Sequence, residues 1–149
     1  MWRNKIVIFS IVLMLFSCDG RNEDYAVIES FLEENNASIV LEDFKYIVLI
    51  NEEGGCVNCY NSFSKAMAKN IKLDSTLFIV SSTGHNIDIS AYLDNKYRDN
   101  VILDQRKKII TSKIANNPRI IFLGNHKIDS VIDINLNNYK NHIDNFPNY

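Results

Sequence analysis

The residues in this 149-residue chain best suited to chemistry are Cys56 and Cys59, in the run Gly54-Gly55-Cys56-Val57-Asn58-Cys59. Side chains three apart on a helix share one face at about 5–6 Å, the separation a disulfide needs. The pair follows an apolar run, Tyr46-Ile47-Val48-Leu49-Ile50, and precedes residues at helical spacing, so it stands where a strand gives way to a helix. Unpaired amides and the helix dipole favour negative charge at such a start, which lowers the pKa of a thiol there. Cys56, at the helix tip, is therefore the expected attacking thiol. Cys59, one turn deeper beneath Tyr60 and Phe63, is the expected resolving thiol.

The elements that must position this pair follow from periodicity. Tyr25, Ile28, Phe31 and Leu32 recur as on an amphipathic helix ending near Asn35-Asn36. Ile39 to Leu41 suits a short strand, and Tyr46–Ile50 a strand buried on both faces. Tyr60, Phe63, Met67 and Ile71 give the helix after the cysteines, and Thr76-Leu77-Phe78-Ile79-Val80 a second buried strand. After a turn at Thr83-Gly84-His85-Asn86, Ile89, Leu93 and Tyr97 predict a helix. A short Val101-Ile102-Leu103 run precedes a helical turn through Ile110 and Ile114. Arg119–Leu123 and Lys127–Ile134, joined at Gly124-Asn125-His126, read as a β-hairpin. Asn135 is the expected cap of a closing helix bearing Leu136, Tyr139, Ile143 and Phe146 on one side. Alternation first and a hairpin last predict an α/β fold: a mixed central sheet with helices on both faces, ordered βαβα then ββα.

The bulk properties fit one domain. Apolar residues are 46% of the chain, enough for an ordinary core, and the net charge of -2 has both signs scattered. With no basic stripe, no nucleic-acid partner is expected. Residues 1–17 read differently. Arg3 and Lys5 form a basic head, and Ile6 to Phe16 is an apolar run shorter than the about 20 residues a membrane span takes. A basic head, a short apolar stretch and a small residue, Ser17, describe a secretory signal. Leu15-Phe16-Ser17-Cys18 resembles the lipobox of bacterial lipoproteins, departing from it at Phe16. The resemblance implies cleavage before Cys18 and lipid on that cysteine, with residues 18–24 as a polar tether and 25–149 as the domain. It also implies a membrane-anchored protein of the bacterial cell envelope, expected to face the periplasm, a compartment that permits disulfides. With Cys18 carrying lipid, Cys56 and Cys59 remain.

From about Lys45 onward the chain resembles the thioredoxin-like superfamily, and its export signal points to the TlpA-like envelope thiol-disulfide oxidoreductases. A Cys-x-x-Cys after a strand and before a helix carries the likeness. Asn116-Asn117-Pro118 before the Arg119–Leu123 strand stands where that family places a cis-proline opposite the cysteines. The resemblance implies thiol-disulfide exchange with protein or peptide partners and no diffusible cofactor. It also implies a cis Pro118 facing Cys56, with the Asn117 backbone free to pair with an extended substrate. Three positions depart from the family pattern. Gly55 replaces an aromatic residue, Asn58 a proline, and Ile50 the buried acid six positions before the first cysteine. Glu52 or Glu53 is the candidate substitute proton relay, the alternative being that both are solvated loop residues.

Other chemistries use the same residues less well. A zinc site needs four ligands, and only His85, His126 and His142, in unrelated elements, could complete one. A copper-handling thioredoxin-like protein would have a wider cysteine spacing, with His85 or His126 as third ligand. A peroxiredoxin would need a Pro-rich loop and a threonine that Glu52-Glu53-Gly54-Gly55 does not supply. No metal is expected. The more serious alternative is a lipid-anchored binding module in which Cys56–Cys59 is a permanent structural disulfide.

Overall fold

The computed structural model describes residues 20–35, 38–53, 55–112, 114 and 116–149. The expected signal, residues 1–17, and Cys18 lie outside the described residues. Within them, no helix is long and apolar enough to cross a membrane.

A five-stranded mixed sheet forms the centre of the fold, in the order β3-β2-β1-β4-β5. Its strands are β1 (Tyr46–Asn51), β2 (Thr76–Ser81), β3 (Val101–Leu103), β4 (Arg119–Gly124) and β5 (Lys127–Asp133). The helices are α1 (Gly20–Asn35), α2 (Val57–Ala68), α3 (Ser90–Asp94), α4 (Lys108–Thr111) and α5 (Tyr139–Asn145). β1, β2 and β3 run parallel, while β4 is antiparallel to both β1 and β5.

Both faces of this sheet are covered, because alternate side chains of a strand point opposite ways. Ile47 and Leu49 of β1, with Leu77 and Ile79 of β2, pack against Tyr25, Ile28, Phe31 and Leu32 of α1 and Ile109 and Ile110 of α4. Val48 and Ile50, with Phe78 and Val80, pack against Cys59, Tyr60, Phe63 and Met67 of α2 and Tyr92 of α3. An unbroken apolar run is what such a doubly covered strand requires. The mixed α/β class and the cover on both faces therefore follow from the sequence pattern.

Local details depart from expectation for identifiable reasons. The polar stretch expected as a tether is helical from Gly20 onward, continuous with α1. Ile39–Leu41 is not a strand: Leu41 turns into the core and begins a 3₁₀ turn over Leu41–Asp43, closed by Phe44 N–H on the Leu41 carbonyl. Val101–Leu103 extends the parallel sheet as its edge strand. The helix expected through Tyr97 stops at Asp94, where the Asn95 side chain takes the Ala91 carbonyl at 2.7 Å. Leu93 is consequently exposed and Tyr97 is 88% exposed, while Ile89 and Tyr92 supply the buried face. In the hairpin, Asn125 and His126 both adopt left-handed φ, 48° and 60°, as a type I′ turn demands. A register shift between Phe122 and Leu123 sends Ile128 into one core and Ile132 toward the other. The regular part of α5 begins at Tyr139, later than expected, and Leu136 is left exposed. Asn135 opens the turn before it with cap-like bonds, its side chain accepting Asn137 N–H at 2.9 Å and its carbonyl Tyr139 N–H at 3.1 Å.

Candidate functional site

The sheet topology gives the site its place. β1 and β2 end together at Asn51 and Ser81, and β4 begins beside Leu49, so these ends and the loop before β4 share one end of the sheet. The chain passes from β1 through Glu52–Gly55 into α2 at this same end. The hairpin turn with His126 lies at the other end, because Tyr46 pairs with Phe122.

Cys56 is the N-cap of α2, and its Sγ accepts the Cys59 N–H at 3.3 Å. The two cysteines are joined in a disulfide with their Cα atoms 5.3 Å apart. Their environments differ in the expected sense. Cys59 is 2% exposed and belongs to the core with Tyr60 and Phe63, whereas Cys56 is half-buried and adjoins exposed Val57. A strand delivering the chain to a helix start thus leaves one cysteine half-buried and the other in the core, three residues further along.

Neither reading of Glu52 as relay or solvated residue describes its surroundings. Glu52 is buried, and its carboxylate accepts from the Ser82 hydroxyl at 2.9 Å and the Thr83 hydroxyl at 3.0 Å, with Lys107 Nζ at 3.0 Å. Burial pushes its pKa up, but the hydrogen bonds from Lys107, Ser82 and Thr83 outweigh that and hold it at about 2. A group ionised at all ordinary pH neither stores nor delivers a proton near neutrality. Glu53 is exposed and shares Lys107 at 3.3 Å. The family's buried acid is replaced by fully buried Ile50. What Glu52 does instead is fasten the start of the cysteine loop to the ends of β2 and β3.

Lys107 holds that position in a left-handed conformation, φ 55°. The turn before it is fixed by buried Asp104, whose carboxylate accepts the Lys108 and Ile109 N–H groups and the Ser81 hydroxyl, each at 3.0 Å. One of these roles leaves a local signal in the sequence and the other does not. Asp104 after a strand suits a turn or helix start, but nothing local links Lys107 to Glu52.

The Asn117-Pro118 loop lies at the cysteine end of the sheet, and the Tyr60 hydroxyl donates to Asn117 Oδ1 at 2.9 Å. Pro118 is buried. Its peptide bond is trans: the cis bond among the described residues is Phe146–Pro147. The expected cis Pro118 is thereby corrected, and the substrate-pairing groove argued from it is not retained. Trans is the ordinary state of an X–Pro bond. Here the loop is held by side chains: Asn117 by Tyr60, and Arg119 by the Ile114 carbonyl and the Asp133 carboxylate.

The histidines stand apart from one another. His85 is in an exposed turn after β2, His126 pairs with Glu42 at 2.7 Å, and His142 lies against Tyr149. Among the described residues no three His, Cys, Asp or Glu side chains gather as a metal site would require. A final polar group at the cysteine end is Asn51, fully buried, with neither amide atom hydrogen-bonded. No family model, curated protein or solved structure matches this chain.

Proposed function

We propose that this protein is a thioredoxin-like thiol-disulfide oxidoreductase of the cell envelope, anchored through lipid on Cys18 and exchanging with protein or peptide partners. The observation that carries the reading is the Cys56–Cys59 disulfide at the start of α2, with one cysteine half-buried and the other in the core. The strand and helix order around it supports the thioredoxin likeness: a central strand leading to the cysteine helix, a parallel neighbour, and a closing antiparallel hairpin.

Acting as reductant, the Cys56 thiolate attacks one sulfur of a partner disulfide. That bond breaks, the partner's other sulfur leaves as thiolate, and a mixed disulfide joins Cys56 to the partner. Cys59, once deprotonated, attacks the Cys56 sulfur and expels the partner's second thiolate, which takes up a proton. The partner is reduced and the pair oxidised; the reverse sequence oxidises a partner dithiol. The redox centre is the cysteine pair itself. Ile50 carries no proton acceptor, and Glu52, its pKa held at about 2, is a weak base for the Cys59 proton.

The rival reading, a permanent disulfide in a binding module, finds support in the burial of Cys59 and in the N-cap bond held by Cys56. Thiol titration of the purified domain in graded redox buffers separates the two. A working pair equilibrates at potentials above about -300 mV, whereas a structural disulfide resists reduction there. A pair that stays closed at that potential overturns the proposal.

A further inference from the structure

The Tyr60 hydroxyl joins the cysteine helix to the Asn117 loop at the cysteine end of the sheet. Tyr60 directly follows Cys59 and is 3% exposed, its ring packed in the core with Cys59 and Phe63. The hydroxyl donates to Asn117 Oδ1 at 2.9 Å, across 57 residues of sequence. The Tyr60 backbone N–H donates to the Cys56 carbonyl at 3.0 Å, and the Gly55 backbone lies near the hydroxyl. Gly55 precedes Cys56, and Asn117 precedes Pro118. Core packing alone asks only for the ring, and a phenylalanine would supply it. A buried hydroxyl is costly unless partnered, and its partner here belongs to the loop that flanks the redox centre.

We infer that Tyr60 is a positioning residue for the cysteine pair: its hydroxyl clamps the first turn of the cysteine helix to the Asn117 loop and so favours the closed, disulfide-bonded arrangement. The inference rests on the proposed exchange function. Closing the pair fixes Cys56 over Cys59, and in that arrangement the Tyr60 N–H holds the Cys56 carbonyl while its hydroxyl holds Asn117. Opening the pair lets the sulfurs move apart and frees the helix turn that carries Tyr60, loosening its bond to Asn117. A hydrogen bond that is better made in one redox state shifts the equilibrium between them. A bond equally good in both stabilises the fold and leaves the redox equilibrium unchanged.

The test is equilibration of the purified domain with reduced and oxidised glutathione, comparing wild type, Tyr60→Phe, Asn117→Ala and the double variant. Tyr60→Phe should lower the equilibrium constant for closing the disulfide about five-fold, as loss of one ordinary hydrogen bond would. At 29.6 mV per decade this is a potential roughly 20 mV less negative. Asn117→Ala, on a half-buried loop and tolerant of truncation, should move it in the same direction. The double variant should be no worse than Tyr60→Phe, because both act through one hydroxyl. An unchanged or increased equilibrium constant in Tyr60→Phe overturns the inference, even if its melting temperature falls. So does strict additivity of the two substitutions. If wild type itself fails to equilibrate with glutathione, the exchange function falls and the clamp with it, an outcome distinct from a wild type that cycles and a variant that matches it.

Discussion

Replacing Lys107 by methionine should expose how much of the site's order depends on one ion pair. The Glu52 side chain is 4% exposed and Lys107 31%, with nitrogen and oxygen 3.0 Å apart. Its pKa, about 2 against an ordinary 4.5, corresponds to about 3 kcal/mol at 1.36 kcal/mol per unit. Part of that comes from the Ser82 and Thr83 hydrogen bonds, and solvent screens the partly open lysine, so about 1–2 kcal/mol falls to Lys107. The direction with pH follows from the depressed value. Stabilisation by Glu52 is fully present above about pH 4.5 and is lost as pH falls toward 2. Urea unfolding followed by circular dichroism at pH 7 and pH 3 measures both. Lys107→Met should lose about 1–2 kcal/mol at pH 7 and show a smaller further loss between pH 7 and pH 3 than wild type, since the folded-state pKa of Glu52 then lies closer to its unfolded value. Lys107→Gly loses the same charge but relieves a left-handed φ, a gain of about 1 kcal/mol over methionine. Stability of Lys107→Met within about 0.5 kcal/mol of wild type, the scale of a neutral surface change, with an unmoved acid transition, would refute the argument.

Other outcomes follow from the same structure. Asn51→Leu should raise stability by about 1–2 kcal/mol, because both amide atoms are buried without partners on the face shared with Ile47 and Leu49; a destabilised variant in denaturant melts contradicts this. Cys59→Ser expressed in cells should accumulate mixed disulfides with envelope proteins on non-reducing gels, since attack survives and resolution does not. Cys56→Ser should accumulate few, and the opposite ranking reverses the two roles. Mass spectrometry of the mature N-terminus should find lipid on Cys18; an unmodified peptide retaining Met1 rules that out.

Much of the scaffold was legible because its determinants are local. Tyr46–Ile50 and Thr76–Val80 are apolar at every position, and a strand covered on both faces has no other economical pattern. The cysteine spacing places both side chains at the start of a helix, and their unequal burial follows from that turn's geometry. Where a side chain rather than a period ends an element, the reading failed: Asn95 closes α3 by taking a backbone carbonyl, so Tyr97 never joins the helical face.

Other features were decided by contacts between distant parts of the chain. Glu52 looks like a loop carboxylate until the sheet brings Ser82 and Lys107 around it, and only then does its charge become cheap to bury. Tyr60 reads as one more core aromatic, and its hydroxyl acquires a task only when β4 returns antiparallel to β1 and delivers Asn117. The isomer before Pro118 depends on how that returning loop is tied down, which no neighbouring residue specifies. Periodicity reports which face of an element avoids water, and it is set by residues a few positions apart. Which polar groups meet at the edge of the sheet depends on strand order and register, and these exist only once the apolar faces have packed.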